Sequence, residues 1–241
     1  MTGSTDESAD MRTEEALVGV DESLEVLELR PTSLRFKGTT VAASWCDNMG
    51  SIGQYLLRAG FSRDKLQQKL EKIRFFVEHG VPEHVGLWDA VEDLLPLFAP
   101  GTYLLRYPYE GEGGGFDLIE WESSAGETPY RDSFYPYGVI VLATRPSAQL
   151  DPERIEHWRE KIRRGGRPMA IIAGVEGVSY RFLIDGHHKL KAYQAEDLPP
   201  PLFAIDAREI RDPLSFRGAR GRARGLLRAG APAPKAASAG K

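Results

Sequence analysis

Alternating apolar and polar segments divide residues 137–206 into six short elements. The apolar runs in "YGVIVLATR", "PMAIIAG", "VSYRFLI" and "PPPLFAID" have the length of strands, and two segments between them show helical spacing. The predicted order is strand, helix, strand, strand, helix, strand (βαββαβ). This order predicts a compact mixed α/β or α+β layer fold, in which ligands bind where strands turn into helices.

The first of these helices has clear boundary signals in "LDPERIEHWREKIRRGG". Asp151 is placed as the N-cap and Pro152 as the first helical residue, and the glycines at 165–166 end the helix. An apolar stripe at helical spacing is predicted to face the core: Ile155, Trp158 and Ile162.

Residues 24–125 have a different pattern, which predicts a mostly helical accessory region. One helix is expected to bury four residues and to end at Gly80: Leu66, Leu70, Ile73 and Val77. A second is expected to bury a similar stripe: Trp88, Val91, Leu94 and Leu95. The runs "TYLLRYPYE" and "FDLIEWE" predict two strands, and the glycine-rich "GEGGG" between them predicts a hairpin with a mobile tip.

Composition narrows the class of protein. Hydrophobic residues make up 41% of the 241-residue chain, which is enough for a substantial core. No run approaches the roughly 18–20 apolar residues that span a bilayer, and no signal peptide is evident. We therefore expect a cytoplasmic protein without membrane contact. A single cysteine, Cys46, excludes an intrachain disulfide and argues against structural zinc.

The net charge of −4 conceals two segments of opposite charge. Residues 1–28 hold nine acidic residues against Arg12, whereas residues 211–241 hold eight basic residues against Asp212. We expect residues 1–23 and 211–241 to be disordered tails because they contain too little bulky apolar material to fold. The basic tail is expected either to contact nucleic acid through phosphate neutralisation or simply to aid solubility.

The segment "YRFLIDGHHKLKAY" places several titratable groups at a predicted strand-to-helix turn. Gly186 lets the backbone turn and approach an anion, and the first N–H groups of the helix near His187 carry its positive dipole end. Lys189 and either His187 or His188 could donate charge-assisted hydrogen bonds to phosphate oxygens. Asp185 could hold Mg²⁺ or orient a histidine. The turn therefore predicts a phosphate site.

This region resembles the ParB/sulfiredoxin superfamily, and the segment from Leu150 to Asp206, with "IDGHHKL" and "LPPPLFAID", carries the resemblance. The resemblance implies a nucleotide site, because partition proteins of this superfamily bind CTP, sulfiredoxin uses ATP and free-serine kinases use ADP. It implies catalytic roles for Asp185, His187 and His188, with Mg²⁺ on Asp185, in phosphotransfer or nucleotide hydrolysis. The upstream "TRPSAQLDPERI" resembles a phosphate-contacting stretch of partition proteins, which would add Arg145 to Gly186, His187, His188 and Lys189 as nucleotide contacts.

The departures from the family are also informative. Sulfiredoxin has its catalytic cysteine where this chain has His187, so a sulfinic-acid reductase is excluded. Partition proteins usually have two consecutive arginines in this loop and a helix-turn-helix domain after it, and neither is present here. A chromosome-partition role is therefore not expected.

Four other interpretations of the sequence stay open. Asp185 could cap the helix while the histidines fill a half-buried polar niche, or Asp185, His187, His188 and His157 could hold a metal ion. The chain could be a non-catalytic interaction module that uses its basic tail, or an accessory protein whose first half binds a partner. If it is an enzyme, its acceptor is an unidentified small molecule or protein.

Overall fold

Twelve strands, five α-helices and two 3₁₀ turns form the regular structure of the residues that the computed structural model describes. Those residues are 11–18, 24–28, 32–36, 39–46, 53–57, 64–109, 116–120, 132–134, 139–178 and 180–208. All of them belong to one structural unit, Met1–Glu209. The second unit, Ile210–Lys241, lies outside the described residues, and so does the predicted basic tail.

The strands are numbered in chain order: β1 (Arg12–Val18), β2 (Leu24–Glu28), β3 (Thr32–Phe36), β4 (Thr39–Cys46), β5 (Gly53–Leu57), β6 (Gly101–Tyr107), β7 (Phe116–Ile119), β8 (Asp132–Phe134), β9 (Val139–Leu142), β10 (Ala170–Val175), β11 (Tyr180–Asp185) and β12 (Leu202–Ala207). The helices are α1 (Asp64–Lys72), α2 (Arg74–His79), α3 (Leu87–Val91), α4 (Pro152–Arg163) and α5 (His187–Ala195). The 3₁₀ turns are Leu95–Leu97 and Ser147–Gln149.

Seven strands form a mixed sheet in the order β1-β6-β12-β10-β11-β9-β7. The pairs β10–β12, β9–β11 and β7–β9 are parallel, and the other three pairs are antiparallel. The remaining five strands form an antiparallel sheet in the order β2-β3-β4-β5-β8. The protein is therefore mixed α/β, and the predicted βαββαβ order of residues 137–206 is present as β9, α4, β10, β11, α5 and β12.

The apolar stripes predicted for the helices are largely buried. Leu66, Leu70, Ile73 and Val77 of the first predicted helix are all buried, although the helix breaks at Ile73 into α1 and α2 before it ends at Gly80. On α4, Asp151 caps the helix by accepting a hydrogen bond from Glu153 N at 2.9 Å. The α4 stripe packs on α5 residues through the predicted side chains: Ile155, Trp158 and Ile162.

The prediction of a mostly helical region over 24–125 was wrong for the described residues between 24 and 57, which form β2 to β5. The sequence of β4 begins Thr39-Thr40-Val41, and β-branched side chains of this kind favour the extended backbone of a strand. Helices are present later in the region, as α1, α2 and α3.

Residues 12–18 form an ordered strand, which corrects the expectation of a disordered N-terminus up to residue 23. All seven residues of β1 pair with β6, and Ala16 is completely buried. Glu14 accepts hydrogen bonds from the backbone N–H groups of Leu87 and Trp88, at 2.8 and 2.9 Å, where α3 begins. The partners that order this strand lie about 70–95 residues away, so its own composition did not reveal them.

The predicted hairpin between β6 and β7 was also wrong. β6 pairs with β1 and β12, whereas β7 pairs with β9 at the opposite edge of the seven-stranded sheet. The "GEGGG" segment lies outside the described residues. Because β1, β6 and β7 share a sheet with β9 to β12, residues 137–206 are not structurally separate from the region before them.

The seven-stranded sheet carries a core cluster that places α5. Leu190 of α5 packs among strand residues that are all buried: Val139, Val141, Ala170, Ile172, Leu183, Leu202 and Ala204. This packing holds the first turn of α5 at the end of β11. Of the helices in the described part of the chain, none has the length and apolarity needed to cross a bilayer.

Candidate functional site

A cleft of about 230 Å³ lies where β11 turns into α5. Its walls come from three places: the α1–α2 region, the start of α4 with the residues before it, and the β11–α5 turn. The lining residues are Leu66, Gln67, Leu70, Glu71, Arg74, Val77, Glu78, Arg145, Arg154, Trp158, Ile184, Asp185, Gly186, His187, His188 and Lys189. All six residues predicted from the sequence to contact a nucleotide or to act in catalysis therefore face one cavity.

Gly186 makes the turn between β11 and α5. Its φ of 110° lies in the left-handed region, which residues with a side chain rarely adopt. A Cβ atom at this position would lie 2.6 Å from the Cβ of Ala170. The first helical hydrogen bond runs from Leu190 N to Gly186 O at 2.8 Å, so the N–H groups of residues 187–189 open the helix beside the cleft.

Asp185 forms an ion pair with Lys189 at the start of α5. The Lys189 ammonium donates to Asp185 Oδ2 at 2.6 Å, and the N-cap residue is Gly186, with no side-chain cap hydrogen bond. The Lys189 side chain is only 4% exposed, whereas that of Asp185 is 27% exposed. The lysine predicted to bind phosphate is therefore buried and neutralised by its neighbour. The Lys189 ammonium also lies 5.6 Å from the ring centroid of Trp158.

His187 is buried, and its ring contacts Thr144, which follows β9. Its Nε2 accepts a hydrogen bond from Thr144 N at 3.1 Å. The Thr144 hydroxyl lies 3.4 Å from the same nitrogen and donates to Leu183 O at 2.5 Å. A ring nitrogen that accepts a backbone N–H carries no proton, so Nε2 of His187 cannot donate to a phosphate in this arrangement.

His188 makes a similar contact with Asp151, at the other end of the segment 144–151 that links β9 to α4. Its Nε2 accepts a hydrogen bond from Asp151 N at 3.1 Å. Burial, together with the positive charges of Arg154 and Arg145, lowers the pKa of His188 to about 4. The ring is therefore neutral near pH 7. The expectation that one histidine supplies a charged donor to phosphate is thus corrected for His188.

Arg145 and Arg154 bring positive charge to the cleft, and neither has a counter-charge among the described residues. Neither guanidinium forms a hydrogen bond or ion pair with any residue that the structure describes. Arg145 is half-buried and Arg154 is exposed. Arg154 lies one helical turn before Trp158, on the same side of α4.

The opposite wall has balanced charge. Glu78 of α2 accepts from the guanidinium of Arg74 at 2.6 Å and from the ammonium of Lys161 at 3.0 Å. These two hydrogen bonds, that from Arg74 foremost, lower the pKa of Glu78 to about 2. Glu71 lies 3.6 Å from Arg74.

The residues of the cleft do not fit the predicted Mg²⁺ site on Asp185. Oδ2 of Asp185 already accepts a hydrogen bond from the Lys189 ammonium, and the positive charge of this lysine opposes binding of a dication. The two histidines of the turn use Nε2 to accept backbone N–H groups. Within the described residues, no group of three or more His, Cys, Asp or Glu side chains is arranged to hold a metal ion.

Sequence reasoning found the turn and Arg145 but missed Arg154 and the α1–α2 wall. Arg154 could have been found, because it stands at helical spacing from Trp158 and just after the strong helix-start signal at Asp151-Pro152. The α1–α2 wall had no such signal, because its approach to the turn depends on tertiary packing. His157 does not line this cleft.

Comparison with known proteins adds no homology to this picture. No protein-family model, curated protein or solved structure matches the chain.

Proposed function

We propose that the cleft at the β11–α5 turn binds a nucleotide through its phosphate groups. The observation that carries the proposal is the pair of guanidinium groups, Arg145 and Arg154, which face this cleft without a counter-charge among the described residues. Guanidinium groups match phosphate oxygens in charge and geometry.

The charge balance of the cleft supports an anionic ligand. Asp185 is neutralised by Lys189, and the two carboxylates of Glu71 and Glu78 are balanced by Arg74 and Lys161. After these pairs are taken into account, Arg145 and Arg154 are left to attract an anion. The first turn of α5 adds N–H groups and the positive end of its dipole.

The size of the cleft supports binding of phosphates rather than of a whole nucleotide. Its volume of about 230 Å³ is below the roughly 300–1,000 Å³ that is usual for pockets enclosing complete small ligands. We therefore propose that the phosphates occupy the cleft and that the ribose and base extend towards solvent.

The proposal concerns binding, because the contacts of the histidines do not support general-base catalysis. Nε2 of His187 and of His188 each accepts a backbone N–H, so neither nitrogen is open to take a proton from a substrate. Phosphotransfer through Asp185, His187 and His188 stays a prediction from the family resemblance alone.

Thermal unfolding in the presence of nucleotides tests the proposal. We would measure the Tm of the full chain with ATP, ADP, CTP and GTP at millimolar concentration, with and without Mg²⁺, and with inorganic tripolyphosphate. A ligand at a hundredfold excess over its Kd stabilises the native state by about 2.7 kcal/mol, which raises Tm by several degrees.

The test variant is a double substitution, Arg145→Gln with Arg154→Gln. The control is the single substitution Arg164→Gln. Arg164 is the residue after the last turn of α4. Its side chain is 80% exposed, and it does not line the cleft. We expect the double variant to abolish the shift and the control to keep it. Unchanged Tm of the wild-type protein with every nucleotide and with tripolyphosphate would refute the proposal.

A further inference from the structure

Two adjacent histidines hold the two ends of one connecting segment. This segment, residues 144–151, links β9 to α4. His187 Nε2 accepts from the N–H of Thr144 at its start, and His188 Nε2 accepts from the N–H of Asp151 at its end, both at 3.1 Å. Adjacent side chains at a helix start diverge, which is why one dipeptide can reach two positions seven residues apart in the chain.

The connecting segment determines where Arg145 and Arg154 lie. Arg145 follows Thr144 directly, and Arg154 lies in the first turn of α4, whose N-cap is Asp151. Each histidine contact is thus within three residues of one arginine. Both arginines line the cleft, together with residues of α1 and α2.

We propose that His187 and His188 are positioning residues, which hold the connecting segment so that Arg145 and Arg154 converge on one phosphate-bearing ligand. This inference rests on the proposed function for its ligand, but the contacts themselves can be tested without any ligand. In this role the histidines act through the backbone of the segment and do not touch the phosphate.

Both rings must be neutral to play this part. Nε2 has to accept, so the proton of the neutral imidazole is on Nδ1. For His188, burial and the neighbouring Arg154 and Arg145 favour the neutral ring, whereas Asp151 and Asp185 oppose them more weakly. The same arginines that bind the ligand therefore help to keep His188 in its accepting form.

Substitutions at His188 can separate acceptor loss from loss of packing. His188→Gln keeps an acceptor near the position of Nε2, whereas His188→Leu fills similar space without one. We expect the affinity for tripolyphosphate or for the best nucleotide to fall about tenfold in the leucine variant, because the N–H of Asp151 loses its hydrogen-bond partner and the segment shifts. The glutamine variant should stay within about twofold of wild type, since its acceptor is retained.

Hydrogen exchange provides the readout that does not depend on a ligand. We expect the Asp151 amide to exchange at least tenfold faster in His188→Leu than in wild type and glutamine variant, with the amides of β10 unchanged as the internal control. In the wild-type protein, ring ¹⁵N spectra should show Nε2 unprotonated in both histidines at pH 7.

The possible outcomes separate this inference from the proposed function. Equal Asp151 exchange in wild type and His188→Leu, or a protonated Nε2 in the wild type, overturns the positioning role. If His188→Leu does not fold, the ring spectra and the glutamine variant still decide. If the wild type binds no phosphate compound, the proposed function fails, and the convergence of the arginines on a ligand fails with it; faster exchange would then show a purely structural contact.

Discussion

Strand β11 takes part in two charged clusters that differ in how completely their charges are paired. Near its start, Arg181 binds Asp206 through two hydrogen bonds, at 2.9 and 3.1 Å, and Arg106 donates to the same carboxylate. The Tyr109 ring lies 4.6 Å from one guanidinium and 4.7 Å from the other. At its end, Asp185 forms an ion pair with Lys189 beside Arg145 and Arg154, which have no acidic partner in the described part of the chain.

The difference in burial explains the difference in role. Asp206 is completely buried and the Arg181 side chain is 3% exposed. This ion pair is therefore shielded from water and contributes to the fold rather than to ligand binding. The cluster in the cleft combines one buried ion pair with arginines that reach solvent. We infer that the first cluster specifies the structure and that the second remains available to a ligand.

The largest effect is expected from Asp206→Ala. It leaves two guanidinium groups without their shared carboxylate, and breaking a buried ion pair in this way costs about 3–5 kcal/mol. Urea unfolding should measure this loss of unfolding free energy. Asp117→Ala, at an exposed strand position, is the control and should change stability by less than about 0.5 kcal/mol. A similar small change for both variants would remove the distinction between the clusters.

Gly186→Ala should have the next largest effect. The added Cβ combines a strained φ with a 2.6 Å approach to the Cβ of Ala170, and we expect a loss of about 2–4 kcal/mol. Gly165→Ala is a matched control, because Gly165 has a φ of 85° but no atom within 4 Å of the added Cβ. The Gly165→Ala variant should lose only about 1 kcal/mol of unfolding free energy, which is the cost of the positive φ without a steric contact. Chemical denaturation of both variants makes the comparison, and equal losses would contradict the steric argument.

Asp185→Asn should cost about 1–3 kcal/mol, because the buried Lys189 ammonium loses its counter-charge. Asp93→Asn provides the control: Asp93 pairs with Lys72 at 2.7 Å, almost the same distance, but both side chains are about half exposed. That exposed pair should contribute at most about 1 kcal/mol. Equal losses of unfolding free energy in the two variants would show that burial of Lys189 does not strengthen its ion pair.

Acidification should destabilise the protein through His188. Its pKa is about 4 in the folded protein and 6.5 in its ordinary state, so between these values the unfolded chain binds more protons. Stability therefore falls as the pH decreases through this window, by about 1–2 kcal/mol between pH 6.5 and 4.5. Unfolding curves across this range should be flatter for His188→Gln, which has no titrating ring. If the unfolding free energies of the wild type and His188→Gln fell equally with decreasing pH, the lowered pKa of His188 would be contradicted.

The smallest effect on stability is expected from Arg145→Gln and Arg154→Gln. Because neither side chain is paired with a described residue, their removal should change the free energy of unfolding by less than about 0.5 kcal/mol. Denaturation without ligand measures this directly. A loss comparable to that of Asp206→Ala would show that these arginines support the fold.

The sequence predicted the elements of the second half well because their signals are local. Asp151 and Pro152 mark the start of α4 and Gly186 marks the turn into α5, and each needs only its immediate neighbours to be interpreted. In contrast, β1 is ordered by β6, and β6 pairs with β12, so no window of neighbouring residues contains the information.

The candidate site could be located from the sequence, but the roles of its side chains could not. Adjacent Asp185, Gly186 and two histidines indicated a turn with unusual chemistry. Which atoms the rings would contact depended on where the backbone of Thr144 and Asp151 passes, and this is a result of packing between α4 and α5. The neutral state of His188 follows from its burial and from Arg154 and Arg145, which are also distant from it in the sequence.

The position of β12 has a consequence for synthesis of the chain on the ribosome. β12 comes last among the described strands, yet it lies between β6 and β10 and joins β1–β6 to the other strands of the sheet. Until Leu202–Ala207 has left the exit tunnel, a nascent chain can form only two separate sheet fragments, each with an open edge that can pair with another chain. The seven-stranded sheet can therefore be completed only after β12 has been synthesised, and a message truncated shortly before β12 would yield an aggregation-prone product rather than a smaller folded protein.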